Sequence, residues 1–314
     1  YLKFIRAMHY LVTGGCGFIG SHLVERLLKE GHRVTVLDDL STGKRENIPG
    51  DVTLVVGDIT TPHIFDGLLR NTDGCFHLAA IASVQRGQED WLATHRVNLS
   101  GTVALFDALA RAKKHTPVVF ASSAAAYGDC PDLPLTEQSK CAPISAYGAD
   151  KLACEWHARV AAQNFSIPTA GLRFFNVYGP RQDPSSPYSG VISIFAGRMK
   201  RHAPVTIYGD GEQSRDFIYV GDVVTALCAA MQALEKRTLA HGVFNVCTGR
   251  QTSVNALAKT MATITRSRST ITHAEARTGD ARISLGDGAA AQKTLAFKAS
   301  VALEDGLKTI LEAL

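Results

Sequence analysis

The sequence predicts an α/β fold, a doubly wound parallel sheet followed by a smaller α/β lobe. Two observations carry this. Apolar runs of strand length recur through the first 175 residues, with helix-length amphipathic stretches between most of them. A glycine-rich turn, Gly14-Gly15-Cys16-Gly17-Phe18-Ile19-Gly20, joins the first of these runs to the first helix. Strands covered on both faces read as continuous apolar runs, and a helix between two of them returns the chain to start a parallel neighbour.

The predicted strands are His9–Thr13, Arg33–Leu37, Val52–Val56, Cys75–Leu78, Val118–Ala121 and Thr169–Arg173. The clearest helices between them are Ser21–Lys29, Trp91–Ala112 and Ala146–Asn164. Past Arg173 the alternation stops, and Phe174–Gly190, rich in Asn, Gly, Pro and Ser, reads as a loop. The remainder mixes helices (Val191–Arg201, Val220–Leu234, Val254–Thr265, Leu303–Leu314) with short strands (Val205–Tyr208, Phe217–Tyr219, Val243–Val246). Residues 8–175 are read as the first domain and 176–314 as a lobe at the carboxyl edge of the sheet, where open α/β sheets bind ligands. Some later segments are free to return to the first domain.

At 314 residues, with 46% hydrophobic and 20% charged residues, the chain can bury a full core. Its net charge of +4 is slight, and Lys and Arg are scattered with no basic run interleaved with aromatics. That argues against a nucleic-acid partner while suiting an anionic substrate. The seven cysteines are odd in number, lack C-x-x-C spacing and fall partly in apolar segments. They read as reduced thiols of a cytoplasmic protein, with no metal site. No apolar run reaches the roughly 18 to 20 residues of a membrane helix. Residues 1–7 precede a Met and lack the apolar region of a signal peptide, so Met8 is the expected native start.

Gly14, Gly17 and Gly20 follow the first strand directly and open a helix near Phe18 and Ile19. A turn without Cβ atoms lets backbone N–H groups approach a pyrophosphate, and the helix N-terminus favours its charge. The first domain is therefore read as a Rossmann-type dinucleotide-binding domain, although the glycines are spaced G-x-x-G-x-x-G. Asp38 ends the second strand 18 residues beyond Gly20, about where an acid accepts hydrogen bonds from the adenine ribose. Its charge would repel a 2′-phosphate, so NAD is expected over NADP. Asp39 follows it. Asp58 and Ile59, after the third strand, are placed to border the adenine, with an ordinary turn as the alternative for Asp58.

Tyr147 and Lys151, at i and i+4, share one face of a predicted helix. A free phenol, with a pKa of about 10, is a poor base at neutral pH. A neighbouring ammonium favours the phenolate, so the phenol can take a proton from a sugar hydroxyl. Ser123 lies just past the fifth strand at the same carboxyl edge, where its hydroxyl can bond the oxygen that gains and loses the proton. Either pair alone is commonplace; the glycine turn, Ser123 and the Tyr/Lys pair together are not.

With these residues the chain resembles the extended short-chain dehydrogenase/reductase superfamily, in its branch of NAD-dependent nucleotide-sugar epimerases and dehydratases. The match runs from about Met8 to the C-terminus. It includes Thr13-Gly14-Gly15-Cys16-Gly17-Phe18-Ile19-Gly20, Asp38-Asp39-Leu40-Ser41-Thr42-Gly43, His77-Leu78-Ala79-Ala80 and Ser122-Ser123-Ala124-Ala125-Ala126-Tyr127-Gly128. Further on come Arg173-Phe174-Phe175-Asn176-Val177-Tyr178-Gly179-Pro180-Arg181, Tyr208-Gly209-Asp210-Gly211, Ser214-Arg215-Asp216-Phe217 and Arg277-Thr278-Gly279-Asp280. The resemblance implies Ser123, Tyr147 and Lys151 as the catalytic triad, and Leu78, Ala79, Ala80 and Asn98 as further NAD contacts. It implies Ser83, Asn176, Gln182, Val191, Tyr208, Arg215, Arg277 and Asp280 on the nucleotide-sugar side. Arginines suit that role because they bind phosphate with directed, charge-assisted hydrogen bonds.

Dehydratases and decarboxylases of the superfamily place one or two carboxylates after the catalytic Ser or Thr. Here Ala124, Ala125 and Ala126 follow Ser123, and alanine transfers no proton, which leaves oxidation at carbon 4 and re-reduction from the other face. The resemblance also singles out Ser284. Relatives restricted to unmodified hexoses carry a tyrosine there, whereas a serine leaves space for an N-acetyl group, unless it is only a small residue at a helix start. Gln182-Asp183-Pro184 and Ser189-Gly190-Val191-Ile192 likewise resemble N-acetylhexosamine epimerases. The expected substrates are UDP-GlcNAc/UDP-GalNAc, with UDP-Glc/UDP-Gal as a second pair. The competing expectations are a dehydratase or reductase of the same fold and a catalytically silent NAD(H)-binding regulator. The pathway, glycan or polysaccharide precursor supply against galactose metabolism, stays open. Finally, Trp91–Ala112 and Ala146–Asn164 carry apolar and small residues on more than one face, including Ala104, Ala108, Ala153 and Ala158. By resemblance they form a four-helix bundle in a homodimer.

Overall fold

In the computed structural model, residues 7–184, 190–275 and 282–314 are described. The chain opens with β1 (His9–Thr13), α1 (Phe18–Lys29), β2 (Arg33–Asp38), β3 (Thr53–Val56), the short α2 (Ile64–Leu68) and β4 (Gly74–His77). After α3 (Val84–Glu89) comes a long helix in three parts: α4 (Trp91–His95), a π-turn over Arg96–Ser100, and α5 (Gly101–Arg111). Next are β5 (Val118–Ser123), α6 (Ala146–Phe165) and β6 (Thr169–Phe174). The chain continues through β7 (Asn176–Tyr178), α7 (Val191–Lys200), β8 (Val205–Tyr208), β9 (Ser214–Arg215), β10 (Phe217–Tyr219) and α8 (Val220–Glu235) to β11 (His241–Val246). The last elements are β12 (Thr252–Ser253), α9 (Val254–Thr265), β13 (Ile271–Ala274), β14 (Ile283–Ser284), α10 (Ala289–Leu295) and α11 (Leu303–Ala313).

Seven parallel strands form the main sheet in the order β11-β6-β5-β4-β1-β2-β3. Consecutive side chains of a strand point to opposite faces, and here both faces are dry. Val12 joins a core with Leu23, Val24, Leu27, Val223 and Leu227 from α1 and α8, while Leu11 joins Leu105, Leu109, Cys154 and Ala158 from α5 and α6. That double covering is why the strands read as unbroken apolar runs in the sequence. The order reverses between β1 and β4, and at such a switch point the loops diverge to leave a crevice beyond the carboxyl ends.

Two segments beyond Arg173 pair with strands distant in the chain. Val243–Val246, assigned to the smaller lobe, lies in β11, which pairs with β6 along its whole length, and α8 packs on α1. The first body thus takes in segments from beyond residue 176, because the partner of a parallel strand is chosen by tertiary packing and not by neighbouring sequence. Within the expected loop Phe174–Gly190, the three residues of β7 pair in parallel with β10. The smaller lobe has its own core, in which Ile192, Phe195 and Met199 of α7 meet Leu257 and Met261 of α9, Leu307 and Ile310 of α11, and Val205 and Ile207 of β8. All seven cysteines are free thiols, five of them buried. Among the described residues no helix is long and apolar enough to cross a membrane.

Candidate active site

A cavity of about 470 Å³ opens at the switch point. Its walls include Gly14, Gly17, Phe18, Ile19, Gly20, Asp38, Asp39, Asp58, Ile59, Leu78, Ala79 and Ala80 at one side, and Ser123, Tyr147, Lys151 and Gln182 at the other. The two sequence signals, more than a hundred residues apart, therefore face one space.

The glycine turn is a close-packed cradle. Gly14 has φ +69°, and a Cβ there would lie 2.7 Å from the Ala79 nitrogen. A Cβ on Gly20 would lie 2.1 Å from the Gly14 carbonyl oxygen. The opening amides of α1 have no helical partner by geometry, and Gly17, its N-cap, supplies no side chain to satisfy them. Amides aimed into a cavity at the positive end of a helix dipole fit a pyrophosphate. Asp38 stands at the end of β2, accepting from the Cys16 N–H and the Leu40 N–H at 2.9 Å each. Burial raises its pKa, and those two N–H groups oppose the rise. Each oxygen keeps a lone pair for a ribose hydroxyl. Asp39 is exposed and caps its own turn through Ser41. Asp58 both lines the cavity and accepts from the Thr60 N–H at 2.8 Å, so the turn reading and the site reading coincide.

The floor of the cavity, Leu78 to Ile81, is fixed from behind. Thr13 Oγ1 accepts from the Leu78 and Ala79 N–H groups at 3.2 Å, so its own proton goes to His77 Nδ1 at 2.8 Å. His77 Nε2 then carries the hydrogen and donates to Thr102 Oγ1 at 3.0 Å, which donates to the Asn98 carbonyl at 2.7 Å. Burial, with the Lys151 charge nearby, pushes the His77 pKa down to about 3, so the ring is neutral. Asn98 is buried behind the wall: its side chain accepts from the Ile81 N–H at 2.8 Å and donates to the Ile81 carbonyl at 3.1 Å. It sits in the π-turn, a feature that often accompanies functional sites.

Ser145 caps α6 by accepting from the Gly148 N–H at 3.1 Å, which sets Tyr147 in the first turn. A Cβ on Gly148 would meet the Ala125 oxygen at 2.4 Å, so the helix start rests directly on the turn after Ser123. Lys151 is 4% exposed; its Nζ donates to the Ala121 carbonyl at 3.0 Å and lies 5.9 Å from the Tyr147 ring centre. Ser123 Oγ accepts from the Ala125 N–H at 3.1 Å, which leaves the hydroxyl proton to donate.

Among the other predicted residues, Ser83, Asn176, Val191, Tyr208, Arg215 and Ser284 do not line this cavity. Ser83 caps α3 by accepting from the Arg86 N–H at 3.1 Å. Asn176 begins β7 and Val191 begins α7. Arg215 and Ser284 are register partners in β9 and β14, so Ser284 stands in a strand and not at a helix start. Tyr208 is exposed at the end of β8. Gln182 is held by Ser193, whose hydroxyl donates to its Oε1 at 2.6 Å. Arg277 and Asp280 lie outside the described residues. Sequence reasoning did not single out Ser41, Thr42, Gly43, Arg86 or Phe174 as wall residues. The signal for the first three was present in the quoted Asp38–Gly43 segment, since the residues after a strand end at a switch point face the crevice.

Residues 10–247 match the model of the NAD dependent epimerase/dehydratase family. UDP-glucose 4-epimerase of Mycolicibacterium smegmatis is 35% identical over 311 residues, covering 97% of this chain and 98% of that protein. The structure of Thermus thermophilus UDP-glucose 4-epimerase in complex with NAD is 35% identical, with a TM-score of 0.89 over 98% of both chains. That of UDP-N-acetylglucosamine 4-epimerase from Methanobrevibacter ruminantium, in complex with UDP-N-acetylmuramic acid, is 33% identical, with a TM-score of 0.92 over 98% of both chains.

Proposed function

The chain belongs to the NAD dependent epimerase/dehydratase family, and from that premise we propose the reaction it performs. It is an NAD-dependent isomerase that interconverts the C4 epimers of a UDP-sugar, foremost UDP-GlcNAc and UDP-GalNAc, with UDP-Glc and UDP-Gal as a second pair. One observation carries the choice of reaction. Ser123, Tyr147 and Lys151 line one cavity, and the turn following Ser123 is Ala124–Ala126, which transfers no proton. Elimination and decarboxylation lose the acid they require; oxidation at carbon 4 and its reversal need only the triad.

NAD, when bound, supplies the hydride acceptor for carbon 4 and, once reduced, the donor. The glycine turn and the opening of α1 hold its pyrophosphate, Asp38 its adenine ribose, and Asp58 and Ile59 its adenine. Tyr147 takes the proton of the 4-hydroxyl, with the Lys151 ammonium beside its ring. Ser123 donates to the same substrate oxygen and follows it as it becomes a carbonyl. The 4-keto sugar then turns to present its other face while Asn176, Arg215, Arg277 and Asp280 retain the nucleotide diphosphate, and Tyr147 returns the proton. Incubation with UDP-GlcNAc and UDP-Glc separately is the test. The C4 epimers should appear without net NADH; released NADH or a 4-keto-6-deoxy product would overturn the reading.

We place the enzyme in the cytoplasm, where seven free thiols stay reduced, and as a homodimer through α4–α5 and α6. Of the alanines spread over more than one face of these helices, Ala108 and Ala158 are buried within the chain. The bundle face is drawn by Ala149, Ala153, Trp156 and Val160 along α6, with Trp91 and Leu92 on α4. Trp156 is 62% exposed and Trp91 67%, far more than a lone chain gains from. Trp156→Glu should weaken self-association by at least about 30-fold, the effect of losing an aromatic anchor worth about 2 kcal/mol. Sedimentation should show the parent near twice 33.7 kDa and the variant shifted towards the single-chain mass; equal masses would contradict this interface.

A further inference from the structure

Ser122, Arg173 and Asn245 stand side by side on β5, β6 and β11, in direct register across the carboxyl end of the sheet. All three are at most 5% exposed. Glu155 of α6, equally buried, reaches down onto this row. Its Oε1 accepts from Ser122 Oγ at 2.5 Å and from Arg173 Nε at 2.8 Å, and its Oε2 from Arg173 Nη2 at 2.7 Å. The guanidinium carbon lies over the Tyr127 ring, 4.6 Å from its centre, and the Tyr127 hydroxyl donates to Asn245 Oδ1 at 2.6 Å. Burial works against the Arg173 charge, yet Glu155 holds its pKa above the ordinary value.

Stability does not explain this arrangement. A buried ion pair loses hydration on both sides, and apolar replacements of similar volume are often neutral or better. The pair is also imperfect, since Arg173 Nη1 is buried without a partner. What distinguishes it is its place. Tyr147, Lys151 and Glu155 follow one another at four-residue intervals on one helix face. Lys151 grips the Ala121 carbonyl and Glu155 grips Ser122, so two successive turns of α6 are pinned to the two residues that precede Ser123.

We propose that Glu155 is a positioning residue for the epimerisation. Joined to Arg173 and Ser122, it fixes the register of the helix that carries Tyr147 and Lys151 against the strand end that carries Ser123. The inference rests on the catalytic reading of those three residues. Register matters here because the sugar must turn over between two proton transfers, and both must find the phenol and the serine hydroxyl at the same spacing. A misplacement of about 1 Å in such a site costs on the order of 100-fold in rate.

The test replaces the pair by volume-matched apolar side chains, Glu155→Met with Arg173→Met, since Glu155→Gln alone strands a buried cation and can fail to fold. The NAD-bearing proteins are compared for thermal stability, bound nucleotide per chain, KM and kcat. The double variant should keep its fold and its NAD, hold KM for the UDP-sugar within about twofold, and lose roughly 10- to 100-fold in kcat. A kcat within twofold of the parent would make the pair dispensable, and loss of fold or NAD would make it a structural element; either overturns the proposal. Tyr147→Phe is assayed beside it. Parent-like turnover in that variant would sink the catalytic reading itself, whatever the Met pair does.

Discussion

Tyr147→Phe lowers epimerase turnover by about 100-fold or more, the effect typical of removing a general acid/base, and leaves the UDP-sugar bound. The substitution deletes one oxygen and keeps the ring that forms part of the cavity wall next to Lys151. The loss should therefore fall on kcat, with KM and bound NAD little changed, because the contact removed is one that matters only as the proton moves. Lys151 stays anchored to the Ala121 carbonyl in the variant, so the helix start keeps its seat on the alanine turn. Steady-state rates with either UDP-sugar decide the matter, and turnover near that of the parent would remove Tyr147 from the chemistry.

Much of this site is legible in the sequence because its parts are local. A glycine turn, a strand-end aspartate and a Tyr/Lys pair four residues apart each fix their geometry within a few residues. Burial of the inner strands on both faces makes β1, β2, β4, β5 and β6 equally plain, whereas β3 is an edge strand with no buried residue. What escapes is set by distant partners. β9, β12 and β14 are two residues each and exist only through one another, so no periodicity marks them. The π-turn at Arg96–Ser100 interrupts a helix whose apolar pattern reads as continuous. The Glu155–Arg173 pair left a readable trace: an arginine inside the apolar run Gly171-Leu172-Arg173-Phe174 needs a buried carboxylate, and Glu155 is the acid in phase with Tyr147 on the preceding helix. Ser284 is the opposite case, since its two-residue strand exists only by pairing with β9, which lies far from it in the chain.

For that residue the prediction is a change of preference. Ser284 is half-buried in β14, in register with Arg215 and tied to β9 through its carbonyl, which accepts from the Asp216 N–H at 2.8 Å. The strand pairing fixes the backbone, so a larger side chain at 284 cannot be accommodated by sliding the strand without breaking that ladder. If the serine borders the sugar's 2-position, Ser284→Tyr fills the space an acetamido group needs. Overpacking a filled site costs about 1–3 kcal/mol, or roughly 5- to 150-fold at about 1.4 kcal/mol per decade. kcat/KM for UDP-GlcNAc should fall by that order while the value for UDP-Glc changes much less. The ratio of the two is the measurement, because general damage to the lobe lowers both together. Equal losses would mean that the tyrosine disturbs the β9–β14 pairing instead of the sugar, and no loss for the acetylated sugar would mean that Ser284 does not border it.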